Sequence, residues 1–307
     1  MSEPWSLGVA AAARAIASGE LTSRELVQSL LERIQRVDRD VQAWVRLAPE
    51  QTPRPGPLHG VPLGIKDIIA TAGLEMNVGS PLMAGNVPKE DAPLVRRLRE
   101  AGAIVLGKTH MTEFAAMDPA PTRNPWNLAH TPGGSSSGSA AAVAACLVPG
   151  AIGTQTAGSI LRPAAYCGIV GLKPTYDAVD RTGVFPCAWS MDHIGPMARS
   201  VEDVALLFGA MSGRWLHPYG GDLRIGVPDR YFFEGDTEAF DRVVKALGRR
   251  IVRVKLPPTF EAGVHAGIVT MYSEMAAVHR ERFAAHRDRY GWKLACLLDA
   301  GAAVSAA

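Results

Sequence analysis

Two runs of small residues constrain the fold of this chain more than any other feature of its sequence. Residues 132–139 read PGGSSSGS, and residues 153–159 read GTQTAGS. Runs of this kind usually form flexible linkers. Between them, however, the alanine-rich segment 140–148 predicts a helix and the segment 151–156 predicts a short buried strand. We therefore expect both runs to be loops that packed elements hold in place.

Helical and strand-like segments alternate along the rest of the chain. In the second predicted helix, Thr22 and Glu25 have the spacing of a capping box. This alternation predicts an α/β fold in which helices cover a central sheet. The predicted helices span 6–19, 22–37, 92–102, 162–166, 200–211, 237–249 and most of the tail from 260, and the predicted strands span 61–69, 103–107, 223–227 and 251–254.

Composition limits the class of partner. The 307 residues are 47% hydrophobic and 20% charged, which allows a large core and argues against disorder. The formal net charge is +2, and acidic and basic residues are intermixed, so we expect a small-molecule partner and no nucleic acid. No apolar run is long enough to span a bilayer, and the first residues lack a signal-peptide pattern. We therefore expect a cytoplasmic protein without a membrane partner.

The four cysteines are widely spaced, at Cys146, Cys167, Cys187 and Cys296. The sequence contains no Cys-x-x-Cys pair and no adjacent His at ligand spacing. It therefore predicts neither a disulfide framework nor a metal site, and the thiols are expected to be buried.

Ser159 lies in a predicted turn between the strand at 151–156 and the short helix at 162–166. A serine in such a turn can place its hydroxyl beside unpaired backbone N–H groups, which stabilise the negative charge of a tetrahedral intermediate. The same position also suits a helix N-cap. On this residue alone, both interpretations stay open.

The two interpretations differ in whether a base is needed nearby, because a free serine hydroxyl is a poor nucleophile at neutral pH. Lys66 stands in the apolar run 61–69, where burial disfavours its charged form. Burial lowers the pKa of a lysine, so Lys66 is a candidate base. Alternatively, Lys66 pairs with Asp67 or another carboxylate at a strand edge.

A second serine matches a known hydrolase pattern. Residues 134–138 read GSSSG and fit the G-x-S-x-G elbow, with Ser136 as nucleophile and Asp192 or His265 as partners. That elbow must follow an apolar strand, whereas residues 130–133 read HTPG. A Ser-His-Asp esterase is therefore the less favoured alternative.

A longer pattern resembles the amidase signature family. The resemblance covers most of residues 55–210, and it implies a mixed central β-sheet covered by helices on both faces. The segments that carry it are GIKDI at 64–68, GGSSSGS at 133–139, GTQTAGS at 153–159, CGIVGLKPT at 167–175 and SMDHIGP at 190–196.

The resemblance also implies one domain over residues 1–307. It consists of a helical segment at 1–55, the signature core at 56–210 and an α/β and helical extension at 211–307. Members of the family continue well beyond the point at which this chain ends. We therefore expect a C-terminally truncated form that lacks the family's C-terminal portion, and an inactive truncated homologue is one alternative.

The family's Ser-cisSer-Lys triad falls on three residues of this sequence. The resemblance implies Ser159 as nucleophile, Lys66 as base and Ser135 as the bridging serine, which follows a cis peptide bond. The implied reaction passes through an acyl-enzyme and needs no metal or organic cofactor. The resemblance further implies an oxyanion hole at the backbone amides of Thr156, Ala157, Gly158 and Ser159, and substrate contacts at Gly133 and Gly134.

Two departures from the usual family pattern bear on the substrate. Gln155 stands where the family usually has Asp, and Arg162 lies one place later than the usual arginine. Both resemble the malonamidase branch, whose arginine binds a substrate carboxylate, and a guanidinium holds a carboxylate through two parallel hydrogen bonds. We therefore expect hydrolysis of a small amide with a nearby carboxylate, such as a malonamate. The alternative for Arg162 is a structural ion pair.

Four further polar residues are expected to be mainly structural. Asp192 is expected to shape a loop, and Thr154 and Gln155 are expected to lie behind the reacting groups. Lys108 is expected either to support the site electrostatically or to form an ion pair at the surface.

The main alternative function is that of the glutamine-hydrolysing component of a tRNA-dependent amidotransferase, which shares the same signature. That component normally carries Asp at the position of Gln155. The stand-alone enzyme acts on a small-molecule amide, and we leave open whether it forms a homodimer.

Overall fold

The computed structural model describes residues 3–48, 51–217, 220–221, 223–230 and 238–304. Its contacts divide the chain into two compact units, one formed by Met1–Leu216 with Met271–Ala307 and the other by His217–Thr270. The expected single domain and its segment boundaries remain predictions.

A mixed sheet forms the centre of the first unit. Its strands are β1 (Trp44–Leu47), β2 (Pro62–Lys66), β3 (Ile104–Thr109), β4 (Gly150–Gln155), β5 (Val170–Gly171) and β6 (His193–Ala198). Their spatial order is β1-β3-β2-β4-β6-β5. β2 runs parallel to β3 and β4, whereas the pairs β1 with β3, β4 with β6 and β5 with β6 are antiparallel. The predicted α/β fold with a mixed central sheet is confirmed.

Outside its strands, the described chain consists of helices and connecting loops. α4 packs against β4, and α6 packs against β6. Among the described residues, no helix is both long and apolar enough to cross a membrane. The helices are α1 (Val9–Ser18), α2 (Ser23–Val41), α3 (Pro93–Glu100), α4 (Ser137–Ala144), α5 (Leu161–Tyr166), α6 (Val201–Ser212), α7 (Glu238–Leu247), α8 (Phe260–His286) and α9 (Trp292–Ala302).

The predicted capping box of α2 is present. Thr22 Oγ1 accepts a hydrogen bond from the N–H of Glu25 (3.2 Å), and Glu25 Oε2 accepts one from the N–H of Thr22 (2.8 Å). The helix then buries Leu26, Leu30 and Ile34, which share one face at helical spacing. Local capping therefore located the start of this helix, whereas the helix ends at Val41 and not at residue 37 as predicted.

α4 begins earlier than its sequence predicts. It starts at Ser137, so the end of the first small-residue run forms the first helical turn. At Gly138, a Cβ atom would lie 2.3 Å from the carbonyl oxygen of Ala43. Only glycine permits this close approach, which anchors the helix beside the neighbouring backbone.

β6 is a strand that the sequence does not predict. It contains Gly195 and Pro196, and both residue types are depleted in strands. The strand nevertheless pairs with β4 along its whole length. Pairing with a buried neighbour overrides the weak local preference of this segment.

The cysteines differ in exposure. Cys167 and Cys187 are buried as expected, and burial raises the pKa of each thiol to about 12. Cys146 is half-buried and Cys296 is exposed, so the expectation of burial is wrong for these two. Cys296 lies off the stripe of α9 that is buried.

The second unit contains a smaller sheet. β7 (Ile225–Pro228) and β8 (Ile251–Val254) pair in parallel, and α7 lies between them in the chain. These elements match the predicted strands and helix of this region, except that residue 237 lies outside the described residues.

Candidate active site

Two neighbouring parallel strands end at the same edge of the central sheet. β2 ends at Lys66, and β4 ends at Gln155, directly after Thr154. Parallel strands point their carboxyl ends in one direction, so Lys66 and Thr154 lie side by side. The sheet therefore brings together residues that are 88 positions apart in the chain.

Lys66 is fully buried among hydroxyl and carbonyl oxygens. Its Nζ atom lies 2.8 Å from Ser135 Oγ, 2.8 Å from Thr154 Oγ1 and 3.4 Å from the Thr154 carbonyl oxygen. Burial lowers the pKa of Lys66 to about 7, although Cys187 and Asp192 act in the opposite direction. A neutral amine has two N–H donors and one lone pair. Lys66 can therefore donate to Thr154 and accept a proton from Ser135.

Asp67 does not pair with Lys66, which was the alternative interpretation of this lysine. It faces Lys108, whose Nζ lies 3.6 Å from Asp67 Oδ1 and donates to the carbonyl oxygen of Ile69. Burial lowers the pKa of Lys108 to about 8 and raises the pKa of Asp67. Lys108 is fully buried because β3 continues to Thr109, so the expected surface ion pair is wrong.

The first small-residue run brings Ser135 to the lysine. The Gly134–Ser135 peptide bond is cis, as the resemblance implies. Ser135 is fully buried, and the N–H of the next residue, Ser136, donates to the carbonyl oxygen of Ser159 at 3.2 Å. The fold thus gathers Lys66, Ser135 and Ser159 from three separate segments.

Gly133, within the first small-residue run, lies close against α5. Its φ is +78°, and a Cβ atom there would lie 3.0 Å from the Cα of Pro163. The Gly133 carbonyl oxygen accepts a hydrogen bond from Ser137 Oγ at 2.8 Å. A larger residue at this position would force the loop that carries Ser135 away from α5.

The turn after β4 carries Ser159 beside free backbone donors. In the described part of the chain, the N–H groups of Ala157, Gly158 and Ser159 meet no hydrogen-bond acceptor. Such groups can receive a developing negative charge. The residue at the N-cap position of α5 is Ile160, and no side chain caps this helix. The interpretation of Ser159 as a helix cap is therefore wrong.

Asp192 holds the start of this turn through Thr156. Its Oδ1 accepts a hydrogen bond from Thr156 Oγ1 at 2.5 Å, and its carboxylate also accepts from the N–H groups of Cys187 and Ala188. Burial raises the pKa of Asp192, whereas these hydrogen bonds lower it. The carboxylate shapes the loop, as expected from the sequence.

Arg162 binds a backbone carbonyl instead of a carboxylate. Its Nε and Nη2 atoms donate to the carbonyl oxygen of Gly134 at 3.0 Å and 2.8 Å. The alternative of a structural ion pair is therefore wrong. Within the described ranges, Nη1 has no acceptor, and the residue is exposed. Arg162 thus holds the peptide before Ser135 and keeps a donor on its solvent side.

Ser136, the centre of the G-x-S-x-G match, is a structural residue. Its buried hydroxyl donates to the Thr154 carbonyl oxygen (3.2 Å) and accepts from the Thr154 N–H (3.3 Å). Its expected partner Asp192 binds Thr156 instead. These contacts tie α4 to β4 and do not support the esterase interpretation.

Sequence reasoning placed Thr154 behind the reacting groups, but its side chain contacts Lys66 directly. No local signal identifies this contact, since it depends on β2 and β4 being neighbours. Among the described residues, no cluster of His, Cys, Asp or Glu side chains could hold a metal ion. The arrangement itself offers an amine, hydroxyls and backbone N–H groups for chemistry.

Comparison with known proteins identifies the family of the chain. The profile of the family described as "Amidase" matches residues 25–291. The A component of the glutamyl-tRNA(Gln) amidotransferase from Chromohalobacter salexigens is 41% identical over 290 residues, which are 80% of this chain and 60% of that protein. The chain therefore spans about 60% of the length of this relative.

Solved structures show the same fold. The crystal structure of an amidase superimposes with a TM-score of 0.88 at 32% identity and covers 97% of this chain and 74% of its own. A peptide amidase from Stenotrophomonas maltophilia superimposes with a TM-score of 0.83 at 33% identity, over 98% of this chain and 76% of its own. The chain belongs to the amidase signature family, as its sequence pattern predicted.

Proposed function

We propose that this chain hydrolyses an amide C–N bond, with Ser159 as the nucleophile. One observation carries the proposal. The buried Nζ of Lys66 lies 2.8 Å from Ser135 Oγ, in a loop whose next N–H binds the Ser159 carbonyl oxygen. An amine with a pKa of about 7 is partly neutral at physiological pH and can accept a proton.

In the first step, Ser159 Oγ attacks the amide carbonyl carbon. Its proton passes to Ser135 Oγ as the Ser135 proton passes to Lys66 Nζ, so the two hydroxyls relay one proton. The new C–O bond leaves a negative charge on the former carbonyl oxygen. The N–H groups of the turn at 156–159 stabilise that charge.

In the second step, the tetrahedral intermediate collapses and the C–N bond breaks. The proton on Lys66 returns through Ser135 to the leaving nitrogen, so ammonia or an amine departs and an acyl ester remains on Ser159. Water then attacks the ester by the same relay. The carboxylic acid leaves, and Ser159 and Lys66 regain their starting protonation states.

The proposed substrate is a small amide that carries a carboxylate, such as a malonamate. Arg162 supports this choice because its Nη1 side is open to solvent while Nε and Nη2 hold Gly134 beside Ser135. A carboxylate bound there would lie close to the acyl group under attack. Gly133 and Gly134, which precede Ser135, are the backbone contacts proposed for this ligand.

A second candidate is the glutamine-hydrolysing component of an amidotransferase. It is favoured by the 41% identity to a component of the glutamyl-tRNA(Gln) amidotransferase. In that case, the chain would act on glutamine together with partner proteins. The two candidates share the nucleophile and the relay, and they differ in the acyl group and in the need for partners.

The test is an ammonia-release assay on the purified chain alone. The substrates are malonamate, glutamine, neutral aliphatic and aromatic amides and an amidated peptide, with Ser159→Ala as the matched control. We expect release from malonamate and none from the control. Light scattering on the same sample reports whether the chain is a homodimer.

Three results would change the proposal. Ammonia release that persists in Ser159→Ala excludes this nucleophile. Hydrolysis of glutamine only after partner proteins are added favours the amidotransferase component. An Arg162→Ala variant that keeps equal rates on malonamate and neutral amides removes the proposed carboxylate contact.

A further inference from the structure

The side chain of Gln155 makes three hydrogen bonds to the backbone around Ser159. Gln155 is the last residue of β4 and is buried. Its Nε2 donates to the carbonyl oxygen of Ala157 at 2.9 Å, and its Oε1 accepts from the N–H groups of Ile160 and Leu161 at 2.8 Å and 2.9 Å. The three bonds reach residues on both sides of Ser159.

The bond to Ala157 sets the direction of a neighbouring donor. A trans peptide unit is planar, and its C=O and N–H point in opposite directions. When Nε2 of Gln155 holds the Ala157 carbonyl, the N–H of Gly158 must point away from Gln155. The Gly158 N–H has no acceptor among the residues that the structure describes, so it stays available to a ligand.

The opposite side of the turn is also fixed. Thr156 Oγ1 donates to Asp192, whose carboxylate is itself held by two backbone N–H groups. The turn is therefore tied at Thr156 by a carboxylate and at Ala157 by a carboxamide. Only the carboxamide combines a donor for a carbonyl with an acceptor for two N–H groups.

We propose that Gln155 is a positioning residue that orients the Gly158 N–H toward the oxyanion through its bond to the Ala157 carbonyl. This inference rests on the proposed function of Ser159. The role requires the carboxamide of Gln155. A carboxylate at this position would keep the two contacts in which Oε1 accepts, but it would repel the Ala157 carbonyl oxygen. A carboxylic acid that holds its proton can donate to that oxygen again.

A pH-dependent test must consider the charged groups around position 155. His193 is paired with Gln155 across the sheet, and Lys173 lies near His193. Asp192 contacts the next residue, Thr156, while Lys66 contacts the preceding residue, Thr154, and Arg162 follows the turn and contacts Gly134. All of these groups are present in the wild type, so the ratio of variant to wild-type rate at each pH cancels their own titration.

The experiment compares Gln155→Glu and Gln155→Met, which have nearly the shape of glutamine. The probe is an alkyl fluorophosphonate, which forms a P–O bond to an activated serine as its P–F bond breaks and fluoride leaves. Its labelling rate needs no known substrate. Gln28→Glu on the exposed face of α2 is the matched control, because the Gln28 side chain donates to Glu32 on the same exposed face, away from the site.

We expect Gln155→Met to label on the order of 10-fold to 100-fold more slowly than the wild type at every pH, a smaller loss than removal of a whole oxyanion donor. Gln155→Glu should show the same deficit at about pH 8.5 and come within about 3-fold of the wild type only once the pH has fallen below the pKa of the introduced carboxyl, which is about 4.3 in an unperturbed glutamate. Gln28→Glu should match the wild type throughout.

The outcomes separate this inference from the proposed function. If Ser159→Ala is labelled like the wild type, the proposed nucleophile is wrong. If Ser159→Ala is unlabelled but the ratio for Gln155→Glu does not rise as the pH falls through the pKa of the introduced carboxyl, the inference about Gln155 is overturned. Thermal melts of all variants give the folded fraction, and a loss of rate that equals the unfolded fraction in both Gln155 variants also overturns it.

Discussion

Two buried lysines on neighbouring strands differ in the groups that surround their amines. Lys66 on β2 and Lys108 on β3 are both fully buried, and burial lowers the pKa of the first to about 7 and of the second to about 8. Lys66 contacts hydroxyl and carbonyl oxygens, whereas Lys108 lies 3.6 Å from the carboxylate of Asp67.

This difference separates a reactive amine from a structural one. Neutral oxygens stabilise the ammonium form of Lys66 only weakly, so the residue can exchange a proton with Ser135. The charge on Asp67 favours the ammonium form of Lys108. Burial alone therefore does not make a lysine a base, because the charge of its partners decides whether the proton is held.

Lys66→Met is expected to have the largest effect on the reaction rate. We expect the rate of amide hydrolysis, or of fluorophosphonate labelling, to fall by on the order of 10³-fold to 10⁴-fold, because the relay loses its proton acceptor. The melting temperature should stay the same or rise, since a buried amine is replaced by an apolar side chain of similar length. A variant that retains its rate would show that Lys66 is not the base.

Lys108→Met should have its largest effect on stability. The change leaves the buried Asp67 carboxylate without its counter-charge, which should cost about 3–5 kcal/mol of unfolding free energy. The rate per folded molecule should change little. Urea unfolding measures the loss, and the double variant Lys108→Met with Asp67→Asn should recover part of it. A stable but inactive Lys108→Met would mean that Lys108 also takes part in the reaction.

The pH dependence of the rate distinguishes the roles of Lys66 and Lys108. Lys66 must be neutral to accept a proton, so the rate should fall about tenfold per pH unit below its pKa of about 7 and reach a plateau above it. The sign follows because acid protonates the proposed base. Lys108→Met should keep the same midpoint when measured under conditions in which it is folded. A midpoint that moves with Lys108 would contradict the separate roles.

The smallest expected effect is at Ser136, beside the bridging serine. Ser136→Ala removes the hydroxyl that ties α4 to Thr154, which should cost about 1 kcal/mol of stability and leave the rate within about 3-fold of the wild type. Ser135→Ala is the matched change and should lose most of the activity. Equal rate losses in both variants would assign a structural role to the whole serine run.

Much of the fold and the site could be predicted from local signals. The capping box of α2, the helix and strand that hold the small-residue runs, and the resemblance around Ser159 all depend on residues close together in the chain. β6 was missed because its Gly195 and Pro196 disfavour a strand locally, and pairing with β4 decides otherwise. A surface ion pair stayed open for Lys108 because its burial depends on the full length of β3.

The sequence by itself indicated the α/β class and the family, because alternating segments and long motifs carry that information, and the resemblance to the family implied the three residues proposed to react. Only the tertiary structure decided what each buried charge faces. The parallel pairing of β2 with β4 places Lys66 against Ser135 and Thr154, while Asp67 faces Lys108. Electrostatic character depends on neighbours within a few ångströms, and those neighbours come from distant parts of the chain.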